Sequence, residues 1–195
     1  MTTPARILAL DPSSTATGYA VFDGRTLARC GTLQSEFDTS MLRCLDMADG
    51  VEGLLGHGAC AHGAAHVVIE IPGVFARIGR GAALATYGFA VGCVVERVRA
   101  AGYVPGQTLH GYTPGQWMKG MQTKEKRYRF ARSLWPHVAW PAVTGQKKLN
   151  YNNDAGDAAL LGWWWMDSAD GKRLLSAKQE NDNGQEQRHG VGGGR

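Results

Sequence analysis

The chain has 195 residues, of which 44% are hydrophobic and 19% charged, and its formal net charge is +4. This length suits one domain with a substantial core, and the composition is ordinary for a soluble globular protein. No uninterrupted apolar run reaches the roughly 18 residues that cross a bilayer, and residues 1–6 lack the pattern of a secretory signal. We therefore expect a cytoplasmic protein with no membrane partner. The four cysteines form no CxxC pair and have no histidine at zinc-finger spacing, which argues against a zinc site.

The beginning of the chain predicts three antiparallel strands. Residues 6–10 are apolar at consecutive positions, as in a strand buried on both faces. Residues 17–22 form a second apolar run, and Asp23-Gly24 is a strong hairpin signal that leads into a third strand over 26–34.

Helices and strands alternate in the rest of the chain. The predicted elements are, in order, a helix from about 40 to 56, a strand over 66–71, a long helix over about 81–101, a strand within 103–110, a short helix from 114, a basic helix over 123–134 and a last helix over about 154–168. This order predicts an α/β domain over residues 1–171, with a mixed five-stranded sheet flanked by helices. Residues 172–195 are polar and glycine-rich, which predicts a disordered tail.

Four carboxylates occupy comparable places in these elements. Asp11 follows the first strand, Glu70 lies at the end of the fourth, and Asp154 and Asp157 share a face in the first turn of the last helix. The carboxyl ends of adjacent strands in such sheets open onto a common crevice. Carboxylates that meet there would repel one another unless a cation held them, and an all-oxygen set suits Mg²⁺ or Mn²⁺.

Each acid also has a simpler structural interpretation. Asp-Pro-Ser is favourable turn chemistry at Asp11, and the helix dipole favours Asp154 and Asp157 in a first turn. Glu70 is harder to explain in this way, because a lone acid in a core strand is costly unless it is paired or bound to a metal. The joint placement of the acids favours the metal site.

A basic segment precedes the last helix. Six lysines and arginines lie between Lys119 and Arg132, against the single acid Glu125. Such a cluster can bind phosphate groups or can be a solvated helix face.

Three segments together resemble the RuvC-type Holliday junction resolvases of the ribonuclease H-like superfamily. They are ALDPSSTATGYAVFD, VVIEIPGVF and NNDAGDAALLGWW, and in this order they span residues 7 to about 167. The resemblance implies a ribonuclease H-like fold and a metal-dependent endonuclease that nicks four-way DNA junctions. Paired cuts in a two-fold symmetric junction imply a C2 homodimer, with the helix over 84–98 and its Gly88 and Gly92 as the candidate interface.

The resemblance also implies roles for individual residues. Asp11, Glu70, Asp154 and Asp157 would bind two Mg²⁺ ions, for which Mn²⁺ can substitute. Lys124 is the closest match to the family's catalytic lysine, with Lys119 and Lys126 as alternatives. The expected DNA contacts are Phe75, Arg77, Arg80, Lys119, Lys126 and Arg127.

Other functions remain open from the residues alone. A related nuclease could act on other branched DNA or on structured RNA, as the relatives that process pre-ribosomal RNA do. An actin-like ATP-binding protein also begins with an Asp on a strand, but it needs a duplicated domain and a second phosphate loop. This chain has neither the length nor the repeat for that fold.

Overall fold

A mixed five-stranded sheet lies at the centre of the domain. The computed structural model describes residues 4–56, 63–73, 81–118, 120, 123–140 and 153–176. The strands are β1 (Arg6–Pro12), β2 (Ala16–Asp23), β3 (Thr26–Gln34), β4 (His66–Glu70) and β5 (Leu109–Tyr112). They lie in the order β3-β2-β1-β4-β5, with β1, β2 and β3 antiparallel and with β4 and β5 parallel to β1. The predicted sheet is confirmed.

Helices cover both faces of the sheet. They are α1 (Ser40–Gly56), α2 (Gly81–Ala100), α3 (Pro114–Trp117), α4 (Lys124–Leu134) and α5 (Asn153–Asp167). Thr123 begins α4 as predicted, since its hydroxyl accepts a hydrogen bond from the amide of Lys126. Helix α5 and part of α4 pack against one face, whereas α1 and α2 pack against the other.

Side chains of β1 alternate between these two layers. Ile7 and Ala9 belong to the core beside α5, and Leu8 and Leu10 belong to the core beside α1 and α2. The strand is therefore buried on both faces, as its continuous apolar run predicts. The next residue in the alternation, Asp11, falls on the α5 side.

Two predicted boundaries are wrong. Strand β5 starts within the predicted window but ends two residues beyond it, because the amides of Gln107, Thr108 and Leu109 all bond to the carbonyl of Val104 and form a turn that occupies most of the window. Residues 169–176 are helical, whereas a disordered tail was expected from residue 172, and residues 177–195 lie outside the described residues. Leu174 and Leu175 pack against the α5-side core, which explains why the folded region extends past 171.

Helix α2 differs from the expectation about membrane spans. It is long enough, and with a mean hydropathy of 1.2 apolar enough, to pass a length-and-composition test for crossing a membrane, and only 22% of the tested window is buried. No uninterrupted apolar run spans the whole of α2, but its four valines, its alanines, Leu84 and Phe89 give it a high average hydropathy. Length and composition alone are weak evidence for a span. The exposure of α2 is the more informative finding.

Candidate active site

The ends of β1 and β4 bring Asp11 and Glu70 to one edge of the sheet. The two strands are parallel neighbours, with Leu10 paired to Ile69. Val68 faces the α5 layer, so the alternation places Glu70 on that side, as it does Asp11. The predicted crevice at the carboxyl ends of the strands is where the two acids meet.

Gly18 allows the start of α5 to reach the same edge. It lies directly opposite Asp11 in the β1–β2 pair. A Cβ atom at Gly18 would overlap the carbonyl group of Asp154 and the amide of Ala155. The absence of a side chain therefore lets the first turn of α5 rest on β2 beside Asp11.

We expect Gly18→Ala to displace the first turn of α5 and to lower activity more than stability. An added methyl in a packed site costs about 1–3 kcal/mol, and a misplacement of about 1 Å in a catalytic group can cost about 100-fold in rate. Urea unfolding and the cleavage rate measure the two effects. Gly53→Ala is the matched control, because a Cβ there meets no atom within 4 Å among the described residues. Equal activity of the two variants would contradict this role for Gly18.

The electrostatics of Asp11 bring the predicted acids and one lysine together. Burial raises the pKa of Asp11 well above its ordinary value, and the negative charges of Glu70, Asp157 and Asp154 raise it further. Lys124 is the positive charge that lowers it. Each of these charges lies close enough to perturb Asp11, so the five residues form one cluster.

Glu70 is buried and accepts two hydrogen bonds. The hydroxyl of Tyr87 donates to Oε1 at 3.1 Å, and the indole Nε1 of Trp117 donates to Oε2 at 3.0 Å. Burial raises the pKa of Glu70 to about 7, although both hydrogen bonds act to lower it. The carboxylate is thus desolvated but held by neutral donors.

Asp157 forms a buried ion pair with Arg127. Arg127 donates from Nε to Oδ1 at 2.6 Å and from Nη2 to Oδ2 at 2.8 Å, and the two side chains are 6% and 3% exposed. Burial raises the pKa of Asp157, and Arg127 lowers it. The guanidinium of Arg127, which was expected to contact DNA, faces an acid of the site and not the solvent.

The remaining residues predicted to be catalytic or to contact DNA divide into two groups, those that the structure describes and those that it does not. Lys124 Nζ lies 3.5 Å from Oδ1 of Asp154, and Lys126 is exposed on α4. Phe75, Arg77, Arg80 and Lys119 lie outside the described residues.

Comparison with known proteins identifies the fold. Neither a protein-family model nor a curated protein matches the chain. Among solved structures, Thermus thermophilus RuvC in complex with a Holliday junction substrate matches with a TM-score of 0.60 and 17% identity, over 85% of this chain and 97% of that chain. The chain has the RuvC fold.

Two further structures agree with this result. Another Thermus thermophilus RuvC structure matches with a TM-score of 0.52 and 18% identity, over 82% of this chain and 92% of that chain. The yeast mitochondrial Holliday junction resolvase Ydc2 matches with a TM-score of 0.53 and 13% identity, over 91% and 85% of the two chains. At these identities the likeness is one of fold, and the RuvC-like fold predicted from the sequence is confirmed.

The donor chemistry of this RuvC-fold site suits a hard divalent cation. All four acids offer oxygen, and Asp11, Glu70 and Asp157 each carry a pKa that is raised first by burial and then by the charge of other acids in the cluster, a repulsion that a cation relieves. Each oxygen of Glu70 and Asp157 accepts one of the hydrogen bonds given above and keeps a second lone pair. Across the described ranges, however, no three acidic, histidine or cysteine side chains are already gathered tightly enough to hold an ion. The residues fit a metal, and the side chains would close around it.

We expect the metal-free protein to lose stability as the pH rises. The pKa of Glu70 rises from 4.5 to about 7 on folding, so its stabilising effect is complete below pH 4.5 and is lost as the pH rises through 7. Glu70 alone accounts for about 3 kcal/mol, and Asp11 acts in the same direction. Urea unfolding in EDTA at about pH 5 and about pH 8 measures the slope, which Glu70→Gln should reduce. Equal slopes in the wild type and in this variant would show that Glu70 keeps its ordinary pKa.

Three contributors to the RuvC-fold site do not follow from the resemblance. Tyr87 and Trp117 come from α2 and α3, and no local pattern links either of them to Glu70. For Arg127 a signal does exist. It precedes Ala131 by four residues and Leu134 by seven, so it lies on the buried stripe of α4 and not on its charged face.

Proposed function

We propose that the protein is a metal-dependent endonuclease that nicks four-way (Holliday) DNA junctions by two-metal phosphodiester hydrolysis. The observation that carries this proposal is the convergence of Asp11, Glu70, Asp154 and Asp157 at one edge of a RuvC-fold sheet. Glu70 and Asp157 are buried and Asp11 and Asp154 are half-buried, and this desolvation together with mutual repulsion favours a cation in a carboxylate cluster. A site built only for stability would not gather four acids there.

Different residues of the chain would bind the metal ions, stabilise the transition state and bind the DNA phosphates. The four carboxylates would hold two Mg²⁺ ions, or Mn²⁺, which supply an activated water and stabilise the leaving 3′ oxygen. Lys124 places a positive charge next to Asp154, where it can stabilise charge that develops on the scissile phosphate. The exposed basic side chains of α4, including Lys126, Arg129 and Arg132, are suited to binding the flanking phosphates.

A four-way junction is the proposed substrate because a structure with the same fold is a RuvC complex with a Holliday junction substrate. The test offers purified protein with Mg²⁺ a mobile four-way junction, a fork, a linear duplex and a structured RNA, and maps the cuts. Symmetric nicks near the junction centre support the proposal. Preferred cutting of the fork or of the RNA would contradict the proposal and would indicate a related nuclease that acts on that substrate.

We propose further that the enzyme is a C2 homodimer formed through α1 and α2. A groove of about 610 Å³ runs between the two helices and is lined mainly by apolar residues, among them Leu45, Gly88 and Gly92. A Cβ at either glycine would meet no described atom within 4 Å, and the adjacent Phe89 is 42% exposed. The same patch thus contains a groove and a partly exposed aromatic ring, and two copies of such a patch can pack against each other across a two-fold axis.

A charge placed in this patch is expected to produce monomers. Phe89→Glu would bury an unpaired carboxylate at the proposed interface. Because desolvating an unpaired charge is costly, the variant should dissociate so that the carboxylate stays in water. Light scattering coupled to gel filtration measures the mass. Val104→Glu, at another exposed apolar residue away from the groove, should remain dimeric. A wild-type mass of one chain at concentrations where cleavage occurs would contradict the dimer.

A further inference from the structure

We propose that Tyr87 and Trp117 are positioning residues that orient the Glu70 carboxylate for metal binding. This inference rests on the proposed function, since it concerns the same site. It assigns a role to two residues that the resemblance leaves without one.

The geometry gives each donor its own carboxylate oxygen. Tyr87 holds Oε1 and Trp117 holds Oε2, so rotation of the Glu70 carboxylate would break both hydrogen bonds. Glu70 is 7% exposed and Trp117 is 2% exposed, which leaves little access for water to replace either donor. The carboxylate plane is therefore set by the protein before any ligand arrives.

The two donors come from opposite layers of the domain. Trp117 belongs to the core on the α5 side of the sheet, and Tyr87 packs against the core formed with α1 and α2. Movement of either layer relative to β4 would lengthen or break one of the two hydrogen bonds to Glu70. Both layers are thus tied to one carboxylate at the edge of the sheet.

The chemical type of the donors suits a metal ligand. An indole N–H and a phenol O–H are neutral, so they orient the carboxylate without neutralising the charge that attracts a cation. Each oxygen of Glu70 retains a lone pair for an ion. Arg127 at Asp157 is the contrasting case, because a guanidinium partly neutralises the charge of the carboxylate that it orients.

Burial of an indole in this core does not by itself require an acceptor. Trp165 is also fully buried on the α5 side, and its Nε1 makes no hydrogen bond of good geometry among the described residues, although the Tyr112 hydroxyl lies near its indole. The bond from Trp117 to Glu70 is therefore a specific feature of the site. Trp165 also provides the matched control.

The experiment measures Mn²⁺ binding from the electron paramagnetic resonance signal of free Mn²⁺, without DNA and without turnover. Trp117→Phe and Tyr87→Phe each remove one donor and keep the ring. We expect each to weaken Mn²⁺ binding by about 10- to 100-fold, the usual effect of losing a partner of a metal ligand. Trp165→Phe and Tyr103→Phe, which change a buried ring and a hydroxyl bonded to Ala64, should bind Mn²⁺ as the wild type does.

A double-mutant cycle separates positioning from general destabilisation. In a Glu70→Ala background, Trp117→Phe and Tyr87→Phe should have no further effect on the residual Mn²⁺ affinity, because the group they orient is gone. If Trp117→Phe does not fold, Tyr87→Phe carries the test, since Tyr87 is only half-buried.

The outcomes separate this inference from the proposed function. Wild-type protein that binds no Mn²⁺ would overturn the metal site and the positioning roles together. Wild-type binding that both variants retain would overturn the positioning roles alone. An equal loss in Trp165→Phe, or an additive loss in the Glu70→Ala background, would show a structural effect and would overturn them as well.

Discussion

Asp11→Asn is expected to abolish Mg²⁺-dependent cleavage of a four-way junction while the variant still binds the junction. The substitution keeps the size of the side chain and removes the charge at the centre of the acidic cluster. Loss of about 4 kcal/mol of transition-state stabilisation corresponds to a rate about 1,000-fold lower. Single-turnover cleavage and a gel-shift assay in EDTA measure the two properties.

The same substitution has an effect on stability that needs no DNA. Asp11 is desolvated and repelled by the other acids, so Asn should make the metal-free protein more stable at about pH 8. Added Mg²⁺ should then stabilise the variant less than the wild type. Asp46→Asn, at an exposed acid of α1, is the control and should change neither property. Retained cleavage by Asp11→Asn would remove Asp11 from the assigned site.

Arg127→Met is expected to be among the most destabilising single changes in α4. It leaves Asp157 charged, buried and without its guanidinium partner, and breaking a buried pair in this way costs about 3–5 kcal/mol. Because whole domains have a stability of about 5–15 kcal/mol, this is a large fraction of the total. Urea unfolding at neutral pH measures it.

Two companion variants show whether the cost comes from burial. Arg129→Met removes a 71% exposed arginine of the same helix that pairs with Glu125, and it should cost less than about 1 kcal/mol. Replacing Arg127 and Asp157 together by Met and Leu should recover most of the stability, although activity is lost. If Arg127→Met costs no more than Arg129→Met, the pair is not buried as described.

The parts of the fold that the sequence predicts are those whose signals are local. Continuous apolar runs, apolar patterns of period 3.6, the Asp23-Gly24 turn and the Thr123 cap locate the elements from β1 to α5. The boundary errors at β5 and at residue 172 arise from non-local effects. A turn closed on the Val104 carbonyl shifts the strand toward the C-terminus. Contacts of Leu174 and Leu175 with the core extend the helical region.

The candidate site shows the same division. Strand alternation is enough to place Asp11 and Glu70 on one face, and helical spacing is enough to pair Asp154 with Asp157. The close contact of Gly18 with α5, by contrast, depends on how two distant elements dock. The partners of Glu70 also come from separate elements, and only the three-dimensional structure shows which indole or phenol reaches which oxygen.

The central claim is that the carboxylate cluster is a metal-dependent centre for cutting junctions, and the chemistry of the nicks tests it most directly. A mobile four-way junction, labelled on each strand in turn, is incubated with the wild-type protein in EDTA and then in Mg²⁺. We predict no cuts in EDTA and paired symmetric nicks in Mg²⁺, each with a 3′ hydroxyl and a 5′ phosphate. Nicks that persist in EDTA, or a bound junction that stays uncut in both Mg²⁺ and Mn²⁺, would contradict the claim.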